Sequence, residues 1–232
     1  MKMIKSMRSL LLLVALLTGF AAAKAQTHYV PHVWLGGHAG MTMSEMSFSP
    51  SVRQSMASGF TAGLAFKYAE ERHVGILAEL NIAQRGWKED FEEAPFNYER
   101  RLTYIELPVM THIFFGSQKF KGFVNLGPVI GYMMGDKITA DFDYEHPDMV
   151  PGFPLTNRST EQMSMEIKNK FDYGITAGAG CEFIVKHRHA FSLEARYYFG
   201  LGNIYPSSKK DTFSASRGTS ILVTLGYMFR IK

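Results

Sequence analysis

Apolar and polar side chains alternate along much of this chain with the period of two that an extended strand requires. In "FSLEARYYFG" (Phe191 to Gly200), Phe191, Leu193, Ala195, Tyr197 and Phe199 fall on one side. Ser192, Glu194, Arg196, Tyr198 and Gly200 fall on the other. Helical periodicity is scarce, and eight such segments recur. They run about His32–Thr42 (the least regular), Gly59–Tyr68, His73–Gln84, Arg101–Phe115, Phe120–Met134, Phe171–Val185, Phe191–Gly202 and Thr219–Ile231.

The connections alternate as well. Short ones, "AEER" (69–72), "GSQK" (116–119) and "KHRH" (186–189), alternate with long ones at about 43–58, 85–100, 135–170 and 203–218. An antiparallel meander then has tight turns at one end and large loops at the other. This predicts an all-β fold, an up-and-down antiparallel transmembrane β-barrel of eight strands with both termini at the short-turn end. The third long loop holds two further alternating runs, "KITADFDYE" and "MSMEIKNK". They either extend strands five and six or add a hairpin and make ten.

A soluble barrel with an apolar interior shares this period, so the make-up of the two faces has to decide. The polar face is mostly Gly, Thr and Asn with isolated charges, whereas a water-facing exterior would be rich in Lys, Glu, Gln and Ser. Small residues suit the crowded inside of a narrow barrel. The apolar face carries aromatics towards its strand ends. Tyr68, Tyr132, Tyr173, Phe183, Tyr197, Phe199, Tyr227 and Phe229 are therefore expected to form interfacial girdles against lipid.

The inward charges are then Lys67, Glu79, Glu106, Asp172, Glu182, Glu194 and Arg196. Ions in a dry lumen need partners, so they are expected to form a structural network with Arg196 as its hub and Arg100 as a further cation. Acids outnumber bases in it, which asks for a protonated or wetted carboxyl.

The first residues stand apart. Lys2, Lys5 and Arg8 precede the apolar run Leu10–Ala23, and small residues at 23 and 25 follow, in the order of a secretory signal peptide spanning 1–25. A single barrel domain, 26–232, is expected after it, exported by the Sec route. Four of the 25 basic residues lie in the leader, which leaves 21 against 21 acidic residues. The formal charge of +4 is thus no argument for nucleic acid. One cysteine, Cys181, excludes an intramolecular disulfide framework.

With these residues in place, the chain resembles the outer-membrane β-barrel family of Bacteroidetes that includes PorT-like proteins. The segments that carry the likeness are "TYIELPVMTHIFF" (103–115), "NLGPVIGYMMG" (125–135), "FDYGITAGAGCEF" (171–183), "LEARYYFGLGNIY" (193–205) and "ILVTLGYMF" (221–229). The resemblance implies an integral outer-membrane barrel of a Gram-negative cell, placed among outer-membrane lipids by the barrel-assembly machinery. It implies less about activity: most members have no assigned function, PorT itself looks like a component of a protein secretion system, and no functional residues are transferred. The chain closes on "RIK" after Phe229, where the family's assembly signal ends on its aromatic.

Other chemistry is weakly encoded. His112 with Glu106, and Ser159, His146, Asp141 and Asp143 in the third long loop, supply the residue types of a lipid hydrolase or acyltransferase without any sign of geometry. His187 and His189 lack a third metal ligand nearby. "WKEDFEEAPF" (87–96) reads as a solvated acidic loop. No catalytic, cofactor-binding or metal-binding residue is assigned. The function expected is structural or interactive, through the long loops, with a lipid-modifying enzyme or a small passive porin as the alternatives.

Overall fold

A computed structural model describes residues 31–69, 73–92, 94–155, 159–208 and 210–232. The expected leader lies outside them, as do residues 70–72 of the first short turn. The strands are β1 (His32–Ser49), the two-residue β2 (Gln54–Ser55), β3 (Ala57–Ala69), β4 (Val74–Glu89), β5 (Tyr98–Gly116), β6 (Phe120–Ala140), β7 (Phe171–Val185), β8 (His189–Gly200) and β9 (Ala215–Arg230). Each long strand pairs antiparallel with its sequence neighbour. β1 also pairs with β9, from Trp34↔Arg230 to Ser49↔Ala215, which closes a ring of eight. β2 only extends the rim beside β4. Among the described residues no helix is long and apolar enough to cross a membrane.

The faces follow the period of two. Leu64, Leu80, Val109, Leu126, Ile175, Leu193 and Leu225 point outward and are exposed, while Glu79, Asn81, Asn125, Thr176, Glu194 and Arg196 point inward and are buried. A continuous apolar exterior of this kind is stable against lipid rather than water. Tyr173 and Phe183 bracket it on β7. They stand ten residues apart, about 33 Å along the strand at roughly 3.3 Å per residue, or about 25 Å of height at a tilt of roughly 40°.

Above this belt the alternation changes sign within single strands. On β5 the outward row passes from Val109, Leu107 and Ile105 to Thr103, Arg101 and Glu99. Its inward row mixes His112 and Glu106 with Phe114, Met110 and Pro108 below, and becomes Tyr104, Leu102, Arg100 and Tyr98 above. The lower half faces lipid outside around a lumen that holds the charges, and the upper half faces water outside around a mainly aromatic and apolar interior. The sequence pattern truncates the strands at this inversion, so β1, β4, β5, β6 and β9 all run further towards the long-loop end than expected.

"KITA" extends β6 to Ala140, while "MSMEIKNK" forms no strand. It begins in a single helical turn, α1 (Glu161–Ser164), and continues as coil to β7. The barrel therefore has eight membrane strands, and the ten-stranded alternative is not adopted. A bulge makes the β6 extension fit: Thr103 pairs with Gly135 but Tyr104 with Met133, leaving Met134 over. Beyond Met134, Ile138 and Ala140 face inward and Lys137 outward.

The "KHRH" turn is tight for a physical reason. Lys186 and His187 both adopt positive φ (51° and 58°), and Arg188 N–H donates to Val185 O, a backbone twist that suits adjacent antiparallel strands.

Candidate functional site

The charged side chains of the lumen form three clusters along the barrel axis, bound by adjacent inward positions on β3, β4, β5, β7 and β8. The central one holds Arg196. Its Nη1 and Nη2 donate to the two oxygens of Glu79 at 2.7 and 2.9 Å, and Nε and Nη2 donate to Glu194 at 3.0 and 2.8 Å. Such a doubly bidentate arrangement uses the planar fork that Lys lacks. Asn81 Nδ2 also donates to Glu79 at 2.9 Å. Asn125 Nδ2 donates to Glu194 at 2.9 Å, so Asn125 Oδ1 is left to accept from His112 Nδ1 at 2.7 Å. His112 is thereby held in its Nδ1-protonated form.

Backbone packing makes room for this. A side chain at Gly178 would place its Cβ 2.5 Å from Glu194 Oε1, and one at Gly174 would meet the Tyr198 ring at 2.7 Å. Glycine on the inner face is a requirement of the large neighbours that fill the lumen.

The second cluster, towards the long loops, is built on Arg85. Its guanidinium lies between the rings of Tyr104 and Tyr198, 4.4 and 4.1 Å from their centroids. Nη2 pairs with Glu106 at 2.6 Å and Asp172 at 3.0 Å, and Tyr198 Oη donates to Asp172 at 2.8 Å. Sequence reasoning missed Arg85 because it falls where the regular alternation of the third segment breaks. The third cluster, towards the short turns, pairs Lys67 with Glu182 beneath the Trp34 ring. Five carboxylates thus share three cations, with His38 Nε2 a further 3.8 Å from Glu79. Between the central and lower clusters lies a polar cavity of 30 Å³ beside His38, Lys67, Glu79 and Glu182, room for about one water.

Arg196 is accordingly one of two arginine centres and not the hub of the whole lumen. Arg100, expected as a lumen cation, lies above it. Nε and Nη2 grip Asp136 at 2.9 and 2.6 Å, and Nη1 donates to Met165 O at 2.7 Å and Gln162 O at 3.3 Å. Those carbonyls belong to α1 and the residue after it, so Arg100 serves as a side-chain cap. Tyr98 Oη donates to Met163 O at 2.7 Å, and Tyr205 Oη donates to Gln162 O at 2.9 Å. Gln162 Nε2 and Trp87 Nε1 both donate to Glu89 Oε1, at 3.0 and 3.2 Å. Gln162 and Met163 have no solvent exposure, so α1 sits as a stopper in the mouth.

Around the stopper the upper ends of the strands and the long loops bury a common apolar core. Met46, Phe48, Trp87, Tyr98, Leu102, Ile204 and Phe213 are among its members. Phe91, Phe96, Phe142 and Phe153 form a second ring contact set with centroids 5.1 to 6.0 Å apart. "WKEDFEEAPF" is therefore not simply a solvated acidic loop: Trp87, Glu89 and Phe91 are buried. Burial opposes the Arg100 charge, and the Asp136 hydrogen bond together with the fields of Asp136, Tyr205 and Tyr98 outweighs that and raises its pKa. Burial also pushes the Tyr98 and Tyr205 hydroxyls above the usual tyrosine range.

The expected girdle residues divide between two levels. Tyr132, Tyr173, Tyr197 and Phe199 lie towards the long loops; Tyr68, Phe183, Tyr227 and Phe229 lie towards the short turns. All are exposed on the outer face except Tyr68, which is half-buried. Phe115, Phe120, Phe171 and Phe191 join them. Of the other candidate residues, His146 lies 3.4 Å from Asp143 on the surface and His189 Nδ1 lies 2.9 Å from Tyr227 Oη. Among the described residues no group of three His, Cys, Asp or Glu is placed to hold a metal ion.

A closed ring of eight strands with lipid-facing and lumen-facing rows is the geometry against which known proteins can be compared. The family model described as "Outer membrane protein beta-barrel domain" matches residues 24–205, well over half of the chain. The chain belongs to this outer-membrane β-barrel family. The barrel is similar to the outer membrane protein OprG of Pseudomonas aeruginosa, with a TM-score of 0.51, 10% identity, and 88% of this chain and 97% of that one covered. It also aligns with neisserial surface protein A at a TM-score of 0.45 and 12% identity, covering 85% and 96% of the two chains. Outer membrane protein W of E. coli aligns at 0.42 and 14%, covering 88% and 100%. At such identities the OprG likeness speaks for the fold alone. No curated protein matches the barrel.

Proposed function

We propose that this outer-membrane barrel is a closed anchor that carries a prefolded head, built from the long loops, for binding a protein partner outside the cell. In this reading the chain is exported by the Sec route behind a cleaved leader, and the short-turn end and both termini face the periplasm. The observation that carries this reading is the stopper. Arg100, Tyr98, Tyr205 and Glu89 hold α1 in the mouth above a lumen already filled by ion pairs. A lumen blocked twice does not suit a porin.

The barrel in this reading does no chemistry of its own. His112 spends its ring on Asn125, and His146 with Asp143 is solvent-exposed. The PorT-like segments favour a partner from the envelope or a secretion system.

Photo-crosslinkers at Met149 and Leu155, which are exposed on the head, test the proposal in living cells. One envelope protein captured from both positions is expected. No adduct from either position, together with steady large openings in a planar bilayer, would replace the anchor with a porin.

A further inference from the structure

The short-turn end differs from the rest of the molecule in its charge. Within the lumen every cluster mixes signs, but the rim at the ends of β7, β8 and β9 does not. Lys186, His187 and Arg188 in the β7–β8 turn face Arg230, Ile231 and Lys232 across a groove of 320 Å³. Arg230 N–H donates to Arg188 O at 2.8 Å, which fixes the two segments together. The next turn along, at the end of β5, adds Lys119, whose carbonyl accepts from Ile184 N–H at 2.7 Å. Lys121 follows it on β6, 4.4 Å over the Phe114 ring. None of the described residues in 117–121, 186–189 and 229–232 is acidic. The nearest described acid, Glu182, points into the lumen, where it is paired with Lys67.

The groove also lies at the edge of the lipid-facing surface. Phe183, Phe191 and Tyr227 are register partners across β7, β8 and β9, and the Phe191 and Tyr227 rings approach to 5.3 Å. Phe229 and Ile231 continue that exposed apolar row up to the groove itself. Cations set directly beside a belt of aromatic rings match the depth at which lipid phosphates lie, and basic pockets at that depth recognise anionic headgroups.

We infer that the Lys186–Arg188/Arg230–Lys232 groove binds the headgroup phosphate of an anionic glycerophospholipid in the inner leaflet. The acyl chains would lie over Phe183, Phe191 and Phe229. The leaflet assignment rests on the orientation proposed above; the groove's preference for an anionic lipid does not.

Native mass spectrometry of the folded barrel in detergent, titrated with phosphatidylglycerol or phosphatidylethanolamine, tests the groove. Phosphatidylglycerol adducts should dominate, and each basic side chain removed should weaken them about fivefold. Charge reversal in Lys186→Glu/Arg188→Glu should abolish the preference, and the milder Lys186→Ser/Arg188→Ser should reduce it. Folding of both variants is checked by the mobility shift between unheated and boiled samples. Equal retention of phosphatidylglycerol by the two variants would overturn the site, as would displacement of the lipid by inorganic phosphate alone. Orientation is read separately, by labelling Lys186→Cys in intact cells with a thiol reagent that cannot cross the outer membrane. Labelling there would overturn the leaflet while leaving the measured lipid preference to stand on its own.

Discussion

Arg196 and Arg85 each neutralise two buried carboxylates, so each is worth more through what its loss exposes than through the pairs it makes. Arg196→Met should lower the thermal unfolding midpoint of the detergent-solubilised protein, by an amount equivalent to about 3–5 kcal/mol. Adding Glu79→Gln and Glu194→Gln should recover much of that loss, because the two uncompensated charges go with them. A single variant as stable as the parent would show that the lumen is wet enough to solvate both carboxylates. The lumen charges on the regular strands were legible from alternation alone: Lys67, Glu79, Glu106, Asp172, Glu182, Glu194 and Arg196 all point inward. Arg85 was not legible, since "AQRGWKED" has no alternating polarity to place it. Its site is made by two rings, Tyr104 from the neighbouring β5 and Tyr198 from β8, remote in sequence.

At the level of strands and turns, the tight β7–β8 turn carries two side chains where glycine or asparagine would be relaxed. His187→Gly should raise the unfolding midpoint in urea, by roughly 1 kcal/mol of stability. An unchanged or lower midpoint would mean that the imidazole contributes more than the backbone loses.

The head calls for the opposite kind of change. Trp87, near the upper end of β4, is fully buried in the core of the head and lies 5.4 Å from Phe48 of β1. Trp87→Ala should loosen the head at a cost of about 3–5 kcal/mol. Limited proteolysis should then cut the long loops faster while the heat-dependent gel shift of the barrel persists. Loss of both together would show that head and barrel fold as one unit. This division was hidden in the sequence for a definite reason. The upper strand segments keep the period of two but lose the apolar outer row, so the alternating pattern ends at Arg101 or Gln84. "MSMEIKNK" misleads in the other direction, because α1 is held by Arg100 and Tyr98 rather than by any strand partner.

For the whole molecule, an unheated sample should migrate differently from a boiled one on a denaturing gel, as a closed hydrogen-bonded ring resists detergent. Identical mobility would argue against closure through β1 and β9. In planar bilayers the protein should show no steady large openings. The overall architecture was the most legible level, because strand count and meander order follow from period and loop length, and the lipid-facing side from the make-up of the two faces. The head was the least legible, because its core joins upper strand segments with loop residues whose packing leaves no repeat in the chain.

Met134 adds something different, a matter of reading frame. Losing one residue from a strand ordinarily turns every later side chain to the wrong face. At Met134 the chain already carries one residue too many, and the pairs on either side, Tyr104 with Met133 and Thr103 with Gly135, are in step without it. Deleting Met134 should therefore leave a folded barrel, whereas deleting Lys137 should throw Ile138 and Ala140 out of the head. The yields of heat-modifiable protein from the two deletions would measure the difference. The surplus methionine is the splice at which a membrane strand becomes a strand of a water-soluble fold.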